Sequence, residues 1–268
     1  SSDLEPISLN SENSDEELDK ITLLIVDDND DIRHYLHLLF KDQYIVVEAV
    51  DGEDGLSKAQ TLMPDLIISD VMMPNMDGMA FCKAIKSDVK TSHFPVIMLT
   101  AKAMPENRVE GYHQGADSYL SKPFSNELIQ ARVENLLKQR TELRRYFGQE
   151  LIPQPEEVVY ETLDDQFIKQ FYALVEQHLN DSSLRIEDLG TEMGFSRVQL
   201  YRKVKAITGL SPVDILRKQR LQRAYKMLQT KQYSVSQVCY EVGFTSPSYF
   251  SKSFKEEFNE SPSEVLKG

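Results

Sequence analysis

Cysteine is scarce in this sequence and no hydrophobic run is long. The 268 residues hold two cysteines, Cys82 and Cys239, far apart and in no CxxC or zinc-like spacing. That excludes a disulfide framework and a structural zinc site, and it leaves both thiols as small core residues suited to a reducing compartment. No apolar stretch approaches the roughly 18 residues of a membrane span, and the N-terminus has no charged region followed by an apolar one. The expectation is a soluble, cytoplasmic chain whose segment makes no membrane contact. Hydrophobic residues still make up 41% and charged residues 27% of the chain, a globular composition whose length suggests two domains at about 150 residues each.

The net charge of −13 argues against a polyanionic partner for the chain as a whole. Its distribution argues otherwise, since residues 1–140 carry −12, residues 141–268 only −1, and residues 185–255 carry +8. An acidic half beside a locally basic segment predicts two jobs, one handling cations or phosphoryl groups and one meeting a polyanion.

Residues 1–20 are rich in Ser, Asn, Asp and Glu without periodicity and read as a disordered linker. From Thr22 short apolar runs alternate with amphipathic stretches, the rhythm of an α/β domain with a buried parallel sheet. The strand candidates are 23–26, 44–47, 65–69, 95–99 and 118–120, and the helix candidates 31–40, 52–62, 78–87, 105–114 and 125–140. Five such units in about 120 residues predict a doubly wound, flavodoxin-like fold with a five-stranded parallel sheet over 21–140, with its chemistry at the carboxyl ends of the strands. Residues 141–162 read as a linker, and 163–268 as an all-α domain.

Asp27 and Asp28 end the first strand candidate and Asp70 the third, so a parallel sheet brings three carboxylates to one edge. Alone they would repel and raise one another's pKa values. A hard divalent ion relieves that conflict, and oxygen ligands suit Mg²⁺ better than Zn²⁺. Thr100 adds a hydroxyl after the fourth strand and Lys122 an ammonium after the fifth. This set suits phosphoryl transfer, with Asp70 as in-line nucleophile and Lys122 and Thr100 stabilising the equatorial oxygens. A single Asp after a strand is most often a helix cap or a solvated loop residue; five matching residues at the ends of four strands are not so explained.

The segments 24–29, 65–74 with Asp77-Gly78, 96–101 and 117–124 resemble the response-regulator receiver domain. The resemblance implies that Asp70 accepts a phosphoryl group from a phosphohistidine on a histidine kinase, in cis or in trans. It further implies Mg²⁺ held by Asp28, Asp70 and the Met72 backbone carbonyl, with Asp27 acting mainly through water. A cis peptide at Lys122-Pro123 and a switch made of Thr100 and Tyr119 follow from the same resemblance.

The second half contains an internal repeat. Gly194-Phe195-Ser196 recurs as Gly243-Phe244-Thr245, and Leu200, Val204, Lys205 and Ser211-Pro212 recur as Phe250, Phe254, Lys255 and Ser261-Pro262. Ser196, and Ser246 followed by Pro247, are helix-start signals, while each glycine can take the left-handed turn between two helices. This predicts a helix-turn-helix twice. Val198, Tyr201, Arg202 and Lys205 are expected on the outward face of the first recognition helix, and Ser248, Tyr249, Lys252 and Lys255 on that of the second. Arginine reads guanine edges, hydroxyls read either base and lysine meets phosphate, so these faces suit the major groove.

Residues 185–262 resemble the DNA-binding domain of AraC-family regulators, which implies recognition helices in successive major grooves of double-stranded DNA, joined by a helix over about 212–229. The DNA-contact candidates are then Arg197, Val198, Tyr201, Arg202, Lys205, Ser248, Tyr249, Lys252 and Lys255. The second helix ends in Glu256 and Glu257, which predicts weaker, more positional contacts there. The two resemblances together describe a phosphorelay transcription regulator that is itself no enzyme and that forms a homodimer when phosphorylated. The polar leader and missing initiator Met accord with the C-terminal part of a hybrid two-component sensor, although a stand-alone regulator would look the same. Two other classes fit parts of the pattern: a Mg²⁺-dependent phosphotransferase or phosphatase, and a receiver that docks proteins without binding DNA. The first would need an acid/base carboxylate near the nucleophile, which Asp70-Val71-Met72 lacks.

Overall fold

The structure is a computed structural model whose described residues are 20–101, 115–149 and 162–267, without side chains for 140–149. The helix candidate at 105–114 and the leader at 1–19 lie outside these residues. The chain divides into two compact units, Ser1–Glu142 and Leu143–Gly268.

The first unit holds β1 (Thr22–Val26), α1 (Asp30–Phe40), β2 (Ile45–Ala49), α2 (Gly52–Leu62), β3 (Leu66–Asp70), α3 (Gly78–Ser87), β4 (Val96–Thr100), β5 (Ser118–Ser121) and most of α4 (Asn126–Gln149), whose last residues, from Leu143, fall in the second unit. The strands form one parallel sheet in the order β2-β1-β3-β4-β5. Both faces are covered, which is why β1 and β3 are buried at every position. Alternation sorts the side chains: Leu24, Val26, Ile67 and Met98 pack with Ala59 of α2 and Phe81 and Ile85 of α3. Leu23, Ile25, Ile68 and Leu99 pack with Leu36 and Phe40 of α1 and Ile129 and Val133 of α4. Winding reverses between β1 and β3, so the ends of these two strands flank the crevice where such sheets carry their chemistry.

Local signals set the helix starts. Asn29 accepts from the Asp31 and Ile32 amides ahead of α1, and Asp77 accepts from the Ala80 amide at 2.7 Å ahead of α3. Two boundaries differ from the sequence expectation. β2 begins at Ile45 and runs to Ala49, not 44–47, because the Tyr44 amide closes the end of α1 by donating to the Phe40 carbonyl. α4 runs to Gln149 rather than to 140, so this helix continues into the first residues of the 141–162 connector; helix formers continue there without proline and without glycine before Gly148.

The second unit holds α5 (Leu163–Gln177), α6 (Ile186–Met193), α7 (Arg197–Thr208), α8 (Pro212–Gln229), α9 (Val235–Glu241), α10 (Pro247–Phe258) and α11 (Pro262–Lys267). Serines 196, 211, 234 and 246 each cap the helix that follows, with proline at the first position of α8 and α10. The repeat is a structural one. Gly194 and Gly243 have φ of 74° and 82°, and the Phe195 and Phe244 amides donate back to the Gly190 and Cys239 carbonyls at 2.8 and 3.0 Å. Two cores result, one around Phe171, Leu189, Leu200 and Val204, the other around Leu228, Val238, Phe250 and Phe254. Truncating one such buried phenylalanine to alanine typically costs about 3–5 kcal/mol.

Candidate functional site

The carboxyl ends of β1 and β3 bring Asp27, Asp28 and Asp70 together, with one carboxylate oxygen from each within 4.8 Å of the others. Asp27 is 1% exposed, Asp70 8%, and Asp28 is open to solvent. The Lys122 ammonium, delivered from the end of β5, donates to Asp27 Oδ2 at 2.8 Å and pairs with Asp70 Oδ1 at 3.0 Å. The Lys122 amide donates to the Thr100 carbonyl at 2.7 Å, which ties the β5 end to β4, and the Lys122-Pro123 peptide is cis. Asp27 Oδ1 accepts from the Asn29 amide at 2.9 Å, so both oxygens of this buried carboxylate are held.

Burial pushes the Asp70 carboxyl above its ordinary value; Lys122 pulls it partly back, while the Asp27 charge raises it further. Burial opposes the charge on Lys122, yet its hydrogen bonds to Asp27 and Asp70 outweigh that and hold the ammonium above its usual range. Asp70 is thus a largely buried carboxylate at the sheet edge with one strong cationic partner and a like charge beside it. Among the described residues only oxygen donors converge here, with Asp28 reaching solvent, so the donor set fits a hard divalent cation that keeps some of its waters.

Sequence reasoning assigned no role to three supports of this site. Arg33 is 8% exposed on α1, where it donates to the Asp27 carbonyl at 2.7 Å and also pairs with Asp30; its place six residues after Asp27 was the available signal. Ser69 Oγ donates to the Asp70 carbonyl at 2.9 Å. Gly78 carries the third, since a Cβ there would sit 1.9 Å from the same carbonyl oxygen; only glycine lets α3 start this close. Tyr119 is half-buried with its hydroxyl 4.0 Å from Met79 Sδ, Thr100 is half-buried at the end of β4, and the Met72 side chain is 74% exposed.

In the helical unit, the nine nucleic-acid candidates do not share one environment. Arg197 and Val198 are exposed on α7, and Arg202 and Lys205 are half-buried. Tyr201 corrects the expectation of an outward position: it is 8% exposed. It directly follows Leu200 in the buried stripe, and the Lys205 ammonium covers its ring, 5.4 Å from the centroid and 3.3 Å from the hydroxyl. On α10, Ser248, Tyr249, Lys252 and Lys255 are all exposed, Tyr249 by 50%. Sequence reading also overlooked Lys203, which is fully buried on α7 and paired with Asp164 of α5 at 2.5 Å.

A doubly wound sheet with an acid–lysine cluster at its switch point, followed by two helix-turn-helix units, defines a receiver joined to a DNA-binding type of domain. Residues 23–134 match the response regulator receiver domain and residues 189–268 match a helix-turn-helix domain. Among relatives, the chain is 38% identical over 265 residues to "Histidine kinase P4" of Formosa agariphila, a match spanning 97% of this chain and 19% of that protein. It is 43% identical over 117 residues to the alkaline phosphatase synthesis transcriptional regulatory protein PhoP of Bacillus subtilis, covering 43% of this chain and 48% of that one. Among solved structures, the chemotaxis protein CheY4 of Vibrio cholerae is similar at 38% identity, with 43% of this chain and 98% of that chain covered and a TM-score of 0.42. The chain spans half or less of these two longer relatives. Residues 23–134 belong to the receiver family of response regulators, and the chain joins that domain to an AraC-type helix-turn-helix domain.

Proposed function

We propose that this chain is a two-component transcription regulator in which phosphorylation of Asp70 controls DNA binding by the helical unit. The observation that carries the reading is Lys122, whose ammonium bridges Asp27 and Asp70 at 2.8 and 3.0 Å beside the open carboxylate of Asp28. An Asp70 oxygen attacks the phosphorus of a phosphohistidine on a histidine kinase; the P–N bond breaks as the new P–O bond forms, and the imidazole takes up a proton. Mg²⁺ on Asp28, Asp70 and the Met72 carbonyl would neutralise charge on the phosphoryl oxygens. Asp27 holds Lys122 in place for the same purpose and would meet the ion through water. Thr100 then engages the phosphoryl group and Tyr119 turns inward, a bistable change that favours dimerisation.

Arg197, Val198, Arg202 and Lys205 on α7, with Ser248, Tyr249, Lys252 and Lys255 on α10, supply the groove-facing candidates; the basic segment at 185–255 supports that side of the reading. A kinase in the same polypeptide is supported by the relative named a histidine kinase, which is similar over both domains at once. No helix among the described residues is long and apolar enough to cross a membrane.

The test uses radiolabelled acetyl phosphate with Mg²⁺, followed by binding to duplexes selected from a random pool by the chain itself. Stoichiometric labelling that Asp70→Ala abolishes, with tighter duplex binding after labelling, is the expected result. Continuous turnover of acetyl phosphate would instead identify a phosphatase. Labelling with no duplex selected would favour a receiver that docks proteins.

A further inference from the structure

The two helix-turn-helix units have separate cores, and α8 contributes to both: Ile215 and Leu216 enter the first, Leu221, Ala224 and Leu228 the second. A single 18-residue helix fixes the distance between two bodies better than it fixes their rotation, because each can roll on it. The seam between them is filled by Arg220. Its Nε donates to the Leu179 carbonyl at 3.0 Å and its Nη2 to the Asp181 carbonyl at 2.6 Å, both in the turn between α5 and α6. Leu179 is itself 3% exposed in the first core. Burial works against the Arg220 charge; two carbonyl acceptors in fork geometry offset that.

The other side of the seam is Gly243, in the turn that leads into α10. A Cβ there would lie 2.5 Å from the Leu179 carbonyl oxygen and 2.9 Å from the Arg220 guanidinium carbon. The repeat supplies its own control. Gly194, at the matching turn before α7, has the same left-handed backbone but nothing within 4 Å of such a Cβ. Gly194 therefore meets a turn requirement alone, while Gly243 meets that requirement and also seats the second unit on the first through Arg220.

We infer that the Arg220–Gly243 seam sets the rotation of α10 relative to α7 and so determines which half-site spacing the helical unit accepts. This rests on the DNA-binding reading above. Two half-sites one helical turn apart, about 34 Å, change register by about 3.4 Å and a tenth of a turn for each base pair added or removed. A rigid seam punishes that change, and a loosened one tolerates it.

The experiment has two arms, both on the full chain. In the first, spin labels introduced through V198C and K252C report the distance distribution between α7 and α10 without DNA. It should broaden in Arg220→Met and recover in part in Arg220→Lys, which keeps the charge but not the fork. In the second, a duplex selected by the wild-type chain is re-spaced by one base pair either way. Wild type should lose about tenfold in affinity, whereas Arg220→Met should discriminate by about twofold or less. A distribution as narrow as wild type in Arg220→Met, or undiminished spacing discrimination, would overturn the inference. If wild type selects no duplex, the DNA-binding reading fails and the distance arm alone still decides the seam.

Discussion

Gly78 stands so close beneath Asp70 that a side chain on it would drive into the Asp70 carbonyl, at 1.9 Å from a Cβ. The Gly78 amide also donates to the Val71 carbonyl at 3.0 Å, so the start of α3 and the end of β3 are one packed unit. Gly78→Ala should displace the backbone that carries Asp70. The expected cost is about 1–3 kcal/mol, as for overpacking elsewhere, together with slower acetyl phosphate labelling. Thermal denaturation and labelling rate are the measurements; an unchanged melting temperature would mean that α3 gives way freely.

The raised Asp70 carboxyl makes a prediction with a definite sign. Its ionised form is less favoured in the folded protein than in the unfolded chain. Its favourable contribution is therefore complete below the unfolded value near 3.8 and is lost as pH rises through the folded one. At neutral pH and without metal the ionised group burdens the fold, so Asp70→Asn should melt higher than wild type in chelator. Added Mg²⁺ should reverse the order. At a hundred times its dissociation constant a ligand stabilises by about 2.7 kcal/mol, and Asp70→Asn should show little of that gain. Equal Mg²⁺ shifts in both proteins would remove Asp70 from the metal's donors.

Much of this was legible in sequence, for reasons that particular residues illustrate. Asp27, Asp70 and Lys122 lie at the ends of apolar runs, and in a parallel sheet strand ends converge, so their meeting follows from order alone. The turn glycines at 194 and 243 were visible because the motif repeats. Arg33, Lys203 and Arg220 were not, because a long cationic side chain in an amphipathic helix reads as solvated surface. Its burial depends on which carbonyl or carboxylate the tertiary fold puts opposite it, as with Asp164 for Lys203. Tyr201 failed for the related reason that a residue on the border of a buried stripe is covered or open according to its neighbours, here Lys205.

Cys82 packs between α3 and the sheet, and burial pushes its thiol up to about 11. Cys239 is buried and raised for the same reason. Because the thiolate is the nucleophile, neither should react with iodoacetamide near pH 8 in the folded chain, and both should react in denaturant. Mass spectrometry of the alkylated protein checks this. Rapid native labelling of Cys82 would mean that α3 opens readily from the sheet.

The Lys203 ammonium is fully buried, 4.9 Å from the Phe167 ring centroid as well as paired with Asp164. Removing the carboxylate and removing the pair should differ. Asp164→Asn deprives a buried charge of its counter-ion and is expected to cost about 3 kcal/mol, whereas the double replacement Lys203→Met with Asp164→Leu removes both charges together and should be near neutral or stabilising. Chemical denaturation of both variants makes the comparison. Equal losses would place the value of Lys203 in its own contacts rather than in the charge of Asp164.

The candidate DNA contacts are expected to separate by exposure. Arg202→Ala should cost about 1–3 kcal/mol of duplex binding and relax base preference, while Lys255→Ala should mainly reduce the salt slope by about one. Lys252 lies 4.0 Å from Glu256 with both side chains largely exposed; such pairs are worth little, so Lys252 is free to turn to phosphate and its loss should also appear in the salt slope. Tyr201→Phe should leave affinity nearly unchanged, because the ring is buried and its hydroxyl faces Lys205. Tyr249→Ala should weaken binding, since that ring is half open on α10. Titrations of each variant at several salt concentrations separate these cases. A large loss for Tyr201→Phe, with none for Tyr249→Ala, would mean that α7 repacks on DNA and presents a face it keeps covered when free.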